Sequence, residues 1–175
     1  MSDAGKILLL AIGNPARGDD GLGPALADHF ERSPIDGLVS MWNYQASVEN
    51  AVDLAEHDTV IFVDASLSGP APFSFQRLHA RPAASLSSHD LAPEAVVDLA
   101  RETFGWRGRA FLLAIRGHEF ETFVETLSDR ARSNLRMAIH QLSACIASGT
   151  LESLVTDAPT HHSDRHGASW LNANT

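Results

Sequence analysis

Cysteine is almost absent: Cys145 is the only one in 175 residues. One cysteine excludes a disulfide within the chain and a thiolate metal cluster built from one chain, a pattern that fits a reducing compartment. Basic residues are scarce as well. Thirteen Lys and Arg against 22 Asp and Glu leave a formal net charge of −9 with His neutral. A nucleic-acid ligand needs a clustered Lys/Arg face, and none is visible. Trp42, Trp106 and Trp170 show no stacking pattern with basic residues either. The apolar stretch nearest the N-terminus, Ile7 to Gly13, has seven residues. That is too short to span a membrane, and no small-residue cleavage site follows it. The expectation is a cytoplasmic protein that meets neither nucleic acid nor membrane. An acidic surface without an obvious apolar patch suits a monomer, and acidity otherwise speaks to solubility alone.

The length suits one domain with a single core. Strand-like and helix-like segments alternate, which predicts a three-layer α/β fold: a mostly parallel twisted sheet with helices on both faces. Lys6–Ile12 is a continuous apolar run, as a strand buried on both faces would be. Leu38–Tyr44, Thr59–Ala65 and Arg109–Ile115 read as the other core strands. Phe73–Leu78 alternates, so it reads as an antiparallel edge strand with one wet face. Pro24 suits the first turn of a helix reaching about Arg32. Val48–Glu56 reads as a short helix with Val52, Leu54 and Ala55 available to pack. A helix from about Asp90 to Phe104 has Pro93 in its first turn. Ser128 caps a final helix ending at Gly149, with Leu135, Ala138, Ile139, Leu142 and Ile146 on its buried stripe. Residues 1–155 make the domain. Residues 156–175, polar and with His161, His162 and His166, read as a disordered tail.

Three places carry candidate chemistry. The first is the Gly-rich loop Gly13-Asn14-Pro15-Ala16-Arg17-Gly18-Asp19-Asp20-Gly21-Leu22-Gly23. It joins a buried strand to a helix, where open α/β sheets keep their ligands. It matches neither the dinucleotide nor the P-loop pattern, and two adjacent carboxylates repel phosphate and attract a cation. The second is Asp64, a carboxylate ending a buried strand, which is costly there without a partner. The third is His89, just before the helix from about Asp90. Two carboxylates and an imidazole on one rim make an open O/O/N site suited to a borderline transition metal. Each residue also has a plain structural reading: Asp19 or Asp20 as a helix cap, Asp64 as a turn residue, His89 as a cap or surface residue. Arg17-Gly18-Asp19 spells an adhesion tripeptide that is read as incidental in this context. No Gly-x-Ser-x-Gly elbow is present, and Cys145 falls beside the buried stripe of the last helix, which argues against a serine or cysteine nucleophile.

These motifs resemble the [NiFe]-hydrogenase maturation endopeptidases, which remove a C-terminal extension from the nickel-loaded large subunit. The loop from Gly13-Asn14-Pro15 to Asp19-Asp20-Gly21-Leu22-Gly23 is similar to the family's opening signature, Val63-Asp64-Ala65 to its second motif, and Ser88-His89 to its third. The resemblance implies that Asp20, Asp64 and His89 are the metal-site and catalytic residues. It also implies that the nickel is carried by the precursor, its partner, and sampled by the protease. Cleavage then proceeds either through a metal-polarised group or through Asp20 or Asp64 as general base. Tyr44-Gln45 with Glu49, Ser88-His89-Asp90-Leu91-Ala92-Pro93, and Ile115-Arg116-Gly117-His118-Glu119-Phe120 resemble the subgroup serving soluble NAD-reducing hydrogenases. Ala16 and Ala46 stand where the family usually has larger aliphatic residues, and His118 where it has an aromatic. Two other readings use the same residues: a metal-dependent hydrolase of a small molecule, and a non-catalytic nickel-binding assembly factor.

Overall fold

The computed structural model of the chain describes residues 5–83 and 91–156. Five strands form one sheet: β1 (Ile7–Ile12), β2 (Leu38–Asn43), β3 (Thr59–Ser66), β4 (Phe73–Arg77) and β5 (Arg109–Arg116). Their order is β2-β1-β3-β5-β4. The β1–β2, β1–β3 and β3–β5 pairs are parallel, and β4 runs antiparallel on β5. The four helices are α1 (Leu22–Arg32), α2 (Asn50–Ala55), α3 (Pro93–Phe104) and α4 (Asp129–Ser148). Among the described residues no helix is long and apolar enough to cross a membrane.

Strand periodicity sorts the core into two layers. Leu9 and Ala11 of β1, Ile61 and Val63 of β3, and Phe111, Leu113 and Ile115 of β5 face α1 and α4. Leu8, Leu10, Val60, Phe62 and Leu112 face the opposite way, against Ala51 and Leu54 of α2 and Ala95, Val96 and Val97 of α3. A central strand covered on both sides has no wet position, which is why β1, β3 and β5 read as unbroken apolar runs. The α/β sandwich expected from the sequence is therefore the fold.

Local chemistry ends the helices where expected. Ser128 caps α4, its hydroxyl accepting from the Ala131 N–H at 3.2 Å. Gly149 closes α4 in the left-handed region. The α4 stripe is buried at Ala138, Leu142 and Ile146, with Leu135 and Ile139 packed against it. Three details differ from expectation. On α2 the buried pair is Ala51 and Leu54, while Val52 is 49% exposed and Ala55 is exposed. Strand β4 lacks a plainly wet face, because Ser74 is buried opposite Ala114 and Leu78, Ala80 and Ala83 join the core on that side. Helix α3 starts at Pro93, not near Asp90, since proline at the first helical position holds Ala92 extended. Asp90 and residues 157–175 lie outside the described residues. Thr156, placed in the tail by sequence, donates its N–H to the Phe75 carbonyl at 2.9 Å.

The packing of α2 sets a direct check. Leu54→Ala should cost about 2–5 kcal/mol in urea denaturation, and Val52→Ala should stay within about 0.5 kcal/mol. A larger loss at Val52 would mean that the helix buries its other face.

Candidate active site

The parallel strands β1 and β3 deliver two of the three sequence-named residues to one edge of the sheet. Ala11 pairs with Val63, so Asp64 is the next residue along β3, level with the end of β1. By alternation it shares a face with Val60 and Phe62, the face covered by α2 and α3. It is half-buried, and its Oδ1 accepts from the Ala65 N–H at 2.8 Å. From the end of β1 the chain enters a 3-10 turn, Gly18–Gly21, which packs against β3 and carries Asp20.

Two glycines make this approach possible. A Cβ on Gly13, whose φ is +150°, would lie 2.1 Å from the Asp20 carbonyl oxygen. A Cβ on Gly23 would lie 2.4 Å from the Ile12 carbonyl oxygen and 3.2 Å from that of Val63. Only glycine lets the start of α1 sit directly on the ends of β1 and β3. Asp20 is thus held at the rim beside the strand end that presents Asp64.

Asp20 is half-buried. Burial raises its pKa above the ordinary carboxylate value, against the opposing pull of the Asn14 N–H and the Arg17 charge. The Asn14 N–H donates to Asp20 Oδ2 at 3.1 Å, while Asn14 Oδ1 accepts from the Ala16 N–H at 2.9 Å. The second bond is the Asx turn that an Asn-Pro sequence favours. Asn14 therefore has a positioning role that the sequence reading did not assign.

Asp19 is a different kind of residue. It is fully buried. Its Oδ2 accepts from the N–H groups of His118 (2.7 Å) and Glu119 (2.9 Å) and from the Ser128 hydroxyl (2.8 Å). Its Oδ1 accepts from the Ser128 N–H at 2.7 Å. Burial alone would push its pKa up; the bonds from Ser128, His118 and Glu119 together outweigh that and hold it below the ordinary value. Neither aspartate caps α1, whose first residue follows Gly21 without a side-chain bond. Asp19 instead ties the catalytic-loop candidate to the cap of α4. With Gly18 and Asp19 both buried, the adhesion tripeptide is not on offer to a receptor. The His118 side chain is exposed, on a loop whose backbone Asp19 holds.

His89 lies outside the described residues. Leu91, close after it in sequence, donates its N–H to the Ala46 carbonyl at 3.0 Å, in the loop that follows β2 at the same sheet edge. Among the described residues no three His, Cys, Asp or Glu side chains form a group able to hold a metal ion. Asp20 and Asp64 supply two oxygen donors, and a metal shared between them needs further ligands. Cys145 is half-buried on α4 with its Sγ 3.7 Å from Ser153 Oγ, so it belongs to the helix end.

Asp64, near the end of β3, and Asp20, on the turn packed against that strand, thus share one edge of an open α/β sheet. No protein-family profile matches the chain, and no curated protein does. Solved structures do match its fold. The [NiFe] hydrogenase maturation protease HycI from Thermococcus kodakarensis KOD1 superposes with a TM-score of 0.63 at 20% identity, over 81% of this chain and 92% of that one. A hydrogenase 2 maturation peptidase from a Thaumarchaeota archaeon gives 0.59 at 22% identity, over 83% and 99%. The hydrogenase maturating endopeptidase HybD from E. coli gives 0.59 at 20% identity, over 82% and 94%. At these identities the likeness is one of fold.

The Asp19 clasp has a stability signature. Asp19→Asn brings an NH2 group against N–H donors and should cost on the order of 3 kcal/mol at pH 7. The folded-state pKa is lowered from 3.8. The stability from Asp19 is therefore complete above the unfolded value and is lost as pH falls through the folded one. Urea denaturation at stepped pH should show the gap between wild type and Asp19→Asn closing below about pH 4. A gap that stays constant as pH falls would mean that the Asp19 pKa is the same folded and unfolded, and would overturn the clasp.

Proposed function

We propose that this chain is an endopeptidase that removes the C-terminal extension of a nickel-loaded [NiFe]-hydrogenase large-subunit precursor. The observation that carries the reading is the pair Asp20, on the turn that packs against β3, and Asp64, near the end of β3, in a fold shared with solved hydrogenase maturation proteases. The opening loop, the strand-end aspartate and Ser88-His89 occur in the family's order, and that order adds His89 as the third group. The reading narrows to the subgroup serving soluble NAD-reducing hydrogenases through the stretches around Tyr44, Ser88 and Arg116.

Nickel belongs to the substrate in this reading. Two carboxylates and one imidazole are hard-to-borderline donors too few to close a site, so affinity resides in the precursor's own ligands. The protease tests for loading by offering Asp20, Asp64 and His89 to the metal, and an unloaded precursor gives them nothing to bind. For the cleavage step the chain supplies carboxylates at the rim. A carboxylate with a raised pKa accepts a proton more readily, so Asp20 suits the role of general base. The protein acts as a monomer in the cytoplasm, where Cys145 stays reduced.

The test is incubation with nickel-loaded precursor, with substrate mass read before and after. Wild type should shorten it. Asp20→Ala, Asp64→Ala and His89→Ala should each slow processing at least about 100-fold while circular dichroism stays native, and double variants should add little. Isolated protein should lose its nickel on dialysis against chelator. An unchanged precursor mass would sink the peptidase reading, and a metal that stays through dialysis would favour a small-molecule hydrolase.

A further inference from the structure

Between β5 and α4 the chain makes an excursion, residues 117–128, that the proposed chemistry does not use. Both of its ends are fixed on one carboxylate, since His118, Glu119 and Ser128 all donate to Asp19. Its middle is fixed as well: the Gly18 N–H donates to the Val124 carbonyl at 2.6 Å, and Arg17 and Val124 form an isolated bridge. Beside that anchor stands Phe123. Its exposure is 94%, against 46–63% for the other exposed large apolar side chains among the described residues. Its φ is +63°, a left-handed conformation that a residue with a Cβ rarely adopts. A phenylalanine aimed into water on strained backbone gains nothing for folding. Such strain persists only where the surroundings over-determine it, and it gathers at functional segments.

The flanks define the chemistry of what would cover it. Glu119, Glu121 and Glu125 are all exposed on the same loop. A surface that accepts this loop is an apolar pocket with basic side chains on its rim, and an acidic surface or an anionic membrane is repelled. The loop hangs on Arg17, Gly18 and Asp19, directly beside Asp20. Tyr44 and Leu67, exposed after the ends of β2 and β3, put further apolar surface on that edge. We propose that the 117–128 loop is the docking element for the precursor, with Phe123 as the anchor that enters an apolar, basic-rimmed pocket of the large subunit. The proposal rests on the endopeptidase reading, and it gives Asp19 its use: a rigid clasp that sets the anchor in fixed register with Asp20.

Phe123→Ala, Phe123→Trp and Glu121→Lys/Glu125→Lys are compared with wild type, using immobilised nickel-loaded precursor for Kd and processing assays for KM and kcat. Phe123→Ala should weaken binding and raise KM about tenfold, as loss of an aromatic hot spot does, with kcat changed less than about threefold. Phe123→Trp should recover most of the affinity. The charge reversal should raise Kd, most strongly at low salt. Melting temperature should not move for Phe123→Ala, because the side chain is exposed. Equal Kd for wild type and Phe123→Ala overturns the proposal, as does wild type that fails to bind the precursor. A change in sedimentation coefficient on Phe123→Ala, without a change in Kd, assigns the aromatic to self-association and also overturns it. Wild type that binds but leaves the precursor uncut removes the peptidase reading alone, and the Kd comparison then still decides the docking role.

Discussion

A carboxylate buried to zero exposure with no cation among its hydrogen-bond partners is stable only if its oxygens are filled by donors. Asp19 meets that condition with three backbone N–H groups and one hydroxyl. Its position in the turn after β1, the path of the chain leaving β5 and the first turn of α4 are mutually dependent, because each supplies part of the same cage. Asp20 inherits its placement from this arrangement. The residue beside the candidate base is thus the structural one, and the pair divides the work: the buried member is charged and fixed, and the half-exposed member faces the rim with a raised pKa.

Much of this was legible in the sequence, and the reasons are specific. The three central strands β1, β3 and β5 read correctly because a parallel strand covered by helices on both sides has to be apolar throughout; Leu38–Asn43 is a strand as expected, but it is the outer strand of the sheet and only half-buried. Ser128 and Gly149 read correctly because helix ends leave unpaired groups that few residue types satisfy. The phase of α2 did not read correctly. Six residues make less than two turns, so Val52 and Ala51 were equally good candidates until the sheet chose Ala51. The alternation of Phe73–Leu78 implied one wet face because alternation reports only which residues share a face, and here Leu78, Ala80 and Ala83 cover the Ser74 side as well.

At the site, Asp64 stood out because a carboxylate at the end of a buried run is costly without a partner, whereas Asp20 was singled out from Asp19 only by the resemblance of the opening loop. That Asp19 takes four donors from residues 99 to 109 positions away is invisible locally, since its partners are backbone groups that carry no sequence signature. Phe123 was missed for a related reason. No periodicity surrounds it, and one exposed aromatic becomes notable only when its backbone conformation and exposure are known together.

The double attachment of the 117–128 excursion has a consequence for change over generations. Its two ends already meet on Asp19, so the closure of the loop is set at its base, and between them Val124 is tied down by Gly18 and Arg17. Doubling the length of such a loop costs only about 0.6 kcal/mol in closure entropy. The stretch between Phe120 and Leu127 can therefore change in length or side chains, so long as one backbone carbonyl still meets the Gly18 N–H, while the cage around Asp19 stays as it is. A scaffold so built can be fitted to a different partner by exchanging one short segment.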